Sequence, residues 1–103
     1  MRRRNVRVHV LDIDIAKGER GKCDNCPIAI AINRHLGNEW EAVIFGGHGG
    51  HGCAVVHRVD CSEEHGFEAP PSIDEFIKDF DWECRSNPRP FFFDIELPVA
   101  VLA

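Results

Sequence analysis

Apolar residues alternate with polar ones from the start of the chain: Val6, Val8 and Val10 are separated by Arg7 and His9. The phase then flips, with Leu11, Ile13 and Ile15 separated by Asp12 and Asp14. Period-two alternation predicts a strand, and the flip predicts a bulge or a change of partner near Val10, because a one-residue slip otherwise sends the apolar set to the opposite face. Gly18 and Gly21 end this strand in a basic loop. A helix is expected over about 26–36, capped by Asp24 or Asn25, with Pro27 in its first turn and Gly37 beyond its end. Segments 39–45 and 53–59, rich in Val, Ile, Trp and Phe, read as two strands of a hairpin joined by the glycine-rich segment 46–52.

Ser72-Ile73-Asp74-Glu75 has the form of a capping box, and Pro70 and Pro71 place the chain before it in an extended conformation. Ile73, Phe76, Ile77 and Phe80 recur at helical spacing and form a buried stripe, leaving Asp74, Glu75, Lys78, Asp79 and Asp81 to face water. A last strand follows over Phe91 to Leu97, and 98–103 is a short apolar tail. Strand, helix, strand, strand, helix, strand is the order of the ferredoxin-like split βαβ plan, so the expected fold is α+β, with two helices on one face of a single sheet.

The chain has 103 residues, 44% of them hydrophobic, which suits one domain over 1–103 with a basic amino-terminal arm at 1–5. No apolar run approaches the ~18 residues of a membrane helix, and the Met1-Arg2-Arg3-Arg4-Asn5 start leads into alternation rather than the continuous apolar stretch of a signal peptide. A cytoplasmic protein with no membrane association is expected. Five cysteines, an odd number with one close pair, fit reduced thiols better than a disulfide framework.

The net charge of −5 is unevenly spread: residues 1–35 hold eight Lys/Arg against four Asp/Glu, and residues 36–103 hold four against thirteen. The two parts are therefore +4 and −9. This balance disfavours a broad nucleic-acid surface and points to a protein partner with a basic face, engaged by Asp74, Glu75, Asp79 and Asp81. The plainer alternative is that these acids only solvate a helix.

Two clusters carry candidate metal chemistry: Cys23-Asp24-Asn25-Cys26-Pro27 and His48-Gly49-Gly50-His51-Gly52-Cys53. Cys23, Cys26, His48 and His51 would make a Cys2His2 zinc site, with Cys53 as a substitute ligand, because two residues between thiolates let both sulfurs face one ion. In the split βαβ plan both clusters emerge at the same end of the sheet. The spacing between the histidines is shorter than in zinc fingers, and the competing reading is a plain hairpin tip beside cysteines packed as small apolar residues. A C-x-x-C pair near a helix start also suits thiol redox chemistry, which makes a small redox or metal-dependent enzyme one alternative. A nucleic-acid binder using Arg2 to Arg7 with Lys17, Arg20 and Lys22 is another. The glycine-rich loop leads into a strand, not into the helix a phosphate loop needs, and no serine nucleophile elbow or paired carboxylate anchors hydrolase chemistry. His9, His35, His57 and His65 are isolated.

The segment from Arg20-Gly21-Lys22-Cys23 through Cys26-Pro27-Ile28-Ala29-Ile30-Ala31-Ile32, the helix Phe76-Ile77-Lys78-Asp79-Phe80-Asp81 and the run Pro90-Phe91-Phe92-Phe93-Asp94 resemble small uncharacterised proteins of bacteriophages and prophages. Those proteins share the length, the Cys-Pro-initiated apolar helix and the Pro-Phe-rich closing strand. The resemblance implies a phage-type accessory role, without catalytic residues.

Overall fold

In the computed structural model the described residues are 2–20, 22–45, 53–81 and 89–103. Strand β1, Arg3–Val10, follows the predicted alternation: Val8 and Val10 are buried, while Arg7 and His9 are exposed. The alternation after Val10 does not extend it. Leu11 remains extended and the chain then turns into helix α1, Asp12–Lys17. The cause is Asp14, whose carboxylate accepts the backbone N–H of Leu11 at 2.8 Å, one half of a capping box. Asp14 is also the ion-pair partner of Arg34 and is only 1% exposed, whereas Leu11 and Ile13 are 45% and 53% exposed. Of the expected apolar face, Leu11 and Ile13 are thus outside and Ile15 alone packs on the core, half-buried, while a charged residue is inside.

Helix α2, Pro27–Asn33, lies within the predicted span. Its cap is Cys26 rather than Asp24 or Asn25: the Cys26 sulfur accepts the N–H of Ala29 at 3.4 Å, and Pro27 takes the first helical position, where a missing N–H costs nothing. Ile28, Ala29, Ala31 and Ile32 are buried. Gly18 lets α1 end against the start of α2, since a Cβ there would sit 2.4 Å from the Pro27 ring.

Strands β2, Trp40–Phe45, and β3, Cys53–Arg58, form the expected antiparallel hairpin, with Ala42 opposite Val56 and Ile44 opposite Ala54. The chain turns through Cys61, at φ 65°, into a strand that the apolar pattern does not announce: β4, Glu64–Glu68, where Phe67 alone is a large apolar residue. Phe67 faces the core opposite Ala54.

Helix α3, Pro71–Asp81, buries the predicted stripe of Ile73, Phe76, Ile77 and Phe80. It begins one residue before Ser72, so Pro71 opens the helix and Ser72 lies within the first turn instead of capping it. Asp74 also departs from expectation: it is half-buried, and its Oδ1 is sealed from solvent with no hydrogen-bond partner among the described residues. Strand β5, Phe91–Pro98, pairs antiparallel with β1, and the apolar tail docks through a 3-10 turn at Val99–Val101 and a bridge between Leu36 and Leu102.

The fold is mixed α+β; the described residues form three α-helices and two antiparallel sheets, β1-β5 and β2-β3-β4. Two pairings of the ferredoxin-like plan are present, the first strand with the last and the central hairpin. The described strands do not join as its single sheet, because β4 occupies the edge of β3 that β1 would need. The buried side chains of both sheets, α2 and α3 form one connected cluster.

Candidate functional site

The two metal-type clusters meet the described structure at one end of the three-stranded sheet. Cys23 is exposed in the turn before α2, and its carbonyl accepts the N–H of Ile44 at 2.9 Å, which fastens it beside the end of β2. Cys53 opens β3 opposite Phe45, the next residue along β2. Cys26 is buried three residues from Cys23, its sulfur directed at the Ala29 amide. His48 and His51 lie outside the described residues, as does the side chain of Cys53. Among the described residues no group of three or more His, Cys, Asp or Glu stands in a ligand arrangement.

The predicted acidic face is present in altered form. Glu75 and Asp79 are exposed on α3, Asp74 is half-buried, and the side chain of Asp81 lies outside the described residues. Glu68 of β4 and Glu96 of β5 are exposed as well. Among the described residues the side chains of Glu68, Glu75, Asp79 and Glu96 have no hydrogen-bond or ion-pair partner. Five arginines, by contrast, have internal partners. Arg7 binds Asp94 at 3.0 Å, Arg58 binds Glu39 at 2.8 Å, Arg34 binds Asp14, and Arg20 donates to the Phe80 carbonyl at 2.7 Å. The Arg3 guanidinium donates to the carbonyls of Gly66 and Glu96, at 3.3 and 3.4 Å. Arg3, Arg7 and Arg20 belong to the basic set considered for nucleic acid, and here they join parts of the fold.

Electrostatics on the outer face of the β1-β5 ribbon follow from one pair. Hydrogen bonding to the Arg7 guanidinium holds the Asp94 carboxyl below its ordinary range and raises Arg7 in turn. The same guanidinium lies 4.6 Å from the ring centre of Phe92, which is 53% exposed, and His9 lies 5.7 Å from it on the other strand. Period two places the middle phenylalanine of Phe91-Phe92-Phe93 outward, a signal the sequence carries. His57 has both ring nitrogens engaged, Nε2 with Glu41 at 3.2 Å and Nδ1 with the Arg58 carbonyl at 2.7 Å, so its position is a structural one. His35 is shifted down, first by burial and then by the neighbouring charges of Arg34 and His9, which favours its neutral form.

Sequence reasoning misses a cleft of about 620 Å³ between β4, β5 and the start of α3. Arg3, Gly66, Glu68, Pro71, Asp94 and Glu96 line it.

Compared with known proteins, no family model matches this chain, no curated protein matches it, and no solved structure matches it.

Proposed function

We propose that this chain is a non-enzymatic accessory protein of phage type that works by binding a protein partner with a basic surface. The observation that carries the reading is exposed acid on neighbouring elements: Glu68, Glu75, Asp79 and Glu96 have no partner among the described residues and outnumber Lys78, the exposed cation of α3, while Arg7, Arg20, Arg34 and Arg58 are tied down within the fold. Such a surface attracts cations at long range and sets the rate of encounter more than the final affinity. Changing Glu75 and Asp79 together to Lys is expected to slow association with a partner recovered by affinity capture by roughly tenfold at low salt, and to flatten its salt dependence. Asp74 is left untouched because it is half-buried. Stopped-flow kinetics at low ionic strength decide the matter, and an on-rate unchanged in the double variant overturns the reading.

A structural zinc held by Cys23, Cys26, His48 and His51, with Cys53 as substitute, is proposed alongside it. The bond from Ile44 N–H to the Cys23 carbonyl supports this, since it holds the first cluster beside the strand end that leads to the second. Zinc bound there would contribute its binding free energy to folding. Protein purified without chelator is expected to contain about one zinc per chain by elemental analysis, and His51→Ala or Cys23→Ser to lose it and melt lower. A metal-free protein whose melting temperature ignores both zinc and chelator would refute the site.

A further inference from the structure

We propose that the cleft between β4 and β5 takes up an extended, basic segment of the partner protein as an inserted β-strand, with the guanidinium of Arg3 holding its place. The inference rests on the reading of a basic protein partner and specifies where, and by which groups, that partner is held.

Register fixes which backbone groups face the cleft. Val99 N–H donates to the Arg2 carbonyl at 3.0 Å, and the pairing continues Arg4 with Leu97, Val6 with Ile95 and Val8 with Phe93. Bonding and non-bonding pairs alternate along an antiparallel ladder, so these residues face one another, and Asp94 and Glu96 turn their N–H and C=O groups away from β1. The other sheet alternates in the same way. Arg58 N–H donates to the Glu63 carbonyl at 2.9 Å, which makes Val56 with His65 and Ala54 with Phe67 the bonded pairs. Glu64, Gly66 and Glu68 therefore direct their backbone groups outward from β4. Among the described residues none of these outward groups, on either strand, makes a backbone–backbone hydrogen bond.

Two unpaired strand edges thus face one cleft. What joins them is a side chain: the terminal nitrogens of Arg3 donate to one carbonyl from each edge, Gly66 on β4 and Glu96 on β5, through long, exposed bonds. Bonds of 3.3 and 3.4 Å lie beyond the usual N–H···O range and are readily exchanged. An unpaired edge is a template for another strand, whose main chain supplies affinity while its alternate side chains supply specificity. Inserting a strand would set β4 and β5 about 10 Å apart. No backbone–backbone hydrogen bond among the described residues joins β4 directly to β5, so the ladder itself does not oppose that separation.

Charge selects the occupant. Glu68 and Glu96 border the cleft without partners for their carboxylates, and Asp94 is already neutralised by Arg7. The carbonyls at its centre already accept a guanidinium. A strand with arginine or lysine at alternate positions places its amides on those carbonyls and its cations beside Glu68 and Glu96.

The test uses the full chain and a short synthetic peptide alternating arginine and valine, with an alternating glutamate and valine peptide and a backbone N-methylated arginine and valine peptide as comparisons. The basic peptide is expected to bind, to slow hydrogen exchange at the amides of Gly66, Glu68, Asp94 and Glu96, and to bind several-fold more tightly to Arg3→Met, in which the two carbonyls are vacated. N-methylation is expected to weaken it by roughly tenfold, since it removes the donors that complete the ladder. If the methylated peptide binds as well as the unmethylated one, or protection appears on α3 alone, the inserted strand is refuted while the acidic binding surface stands. Equal binding of the acidic peptide overturns the charge reading itself. Protection of the same amides that grows with protein concentration in the absence of peptide means that a second copy fills the cleft, and the proposal falls.

Discussion

Phe76→Ala is expected to cost about 3 to 5 kcal/mol, the range for emptying a buried aromatic site that cannot collapse. Phe76 is stacked on Phe80 at 5.9 Å and on Phe91 at 5.0 Å, and Phe91 in turn meets Phe93 at 5.8 Å. The ring therefore couples α3 to β5, and deleting it opens a void between two elements whose backbones are each fixed by their own hydrogen bonds. A domain of this size has a total stability on the order of 5 to 15 kcal/mol, so the variant would lose a large fraction of it. Urea denaturation followed by circular dichroism gives the answer. A midpoint equal to that of the parent protein would mean that the aromatic cluster does not hold α3 in place.

The second large effect is expected at Arg34. Arg34→Met leaves the Asp14 carboxylate buried with the Leu11 amide and no cation, and losing one partner of such a pair costs about 3 kcal/mol. The value is set at the low end of its range because the Arg34 side chain is itself 42% exposed and partly screened. Adding Asp14→Asn should restore part of the loss, since no charge is then stranded. The double-mutant cycle separates the pair from the packing. If Arg34→Met changes stability by less than about 0.5 kcal/mol, Asp14 is held by its backbone contact alone.

These two sites also mark where the sequence could and could not be read. The stripe Ile73, Phe76, Ile77 and Phe80 is local, repeats at helical spacing and is buried as expected. The valines of β1, the apolar run of α2 and the hairpin strands were legible for the same reason: each shows its period within one segment. Helix α1 was not, because Leu11 to Ile15 satisfies a period of two, and that pattern outweighs the one local mark of a helix start, Asp14 three residues after Leu11, a carboxylate whose burial depends on Arg34 twenty positions away. Strand β4 was not legible either, having one large apolar residue and owing its place to the open edge of β3. The acidic helix face could be read from composition and spacing, although not the partial burial of Asp74. The cleft could not, since its carbonyls belong to Gly66 and Glu96 and its guanidinium to Arg3, residues that only tertiary pairing brings together.

The ladder between β1 and β5 joins Arg3 to Pro98 at one end and Val10 to Phe91 at the other. Forming it closes a loop that takes in nearly all the described residues, and that closure entropy is lost before any bridge of the ribbon can compensate it. On a growing chain α2 and the central hairpin have their partners available early, whereas β1 is made before the other described elements and its partner strand β5 after the helices and the other strands. Val8 and Val10, fully buried at the end, therefore wait on β5 for their strand partner, with α2 to pack against in the meantime. The three arginines that precede them, and Arg7 between the valines, put charge on the same stretch that waits, which guards an unpaired strand against association with its neighbours.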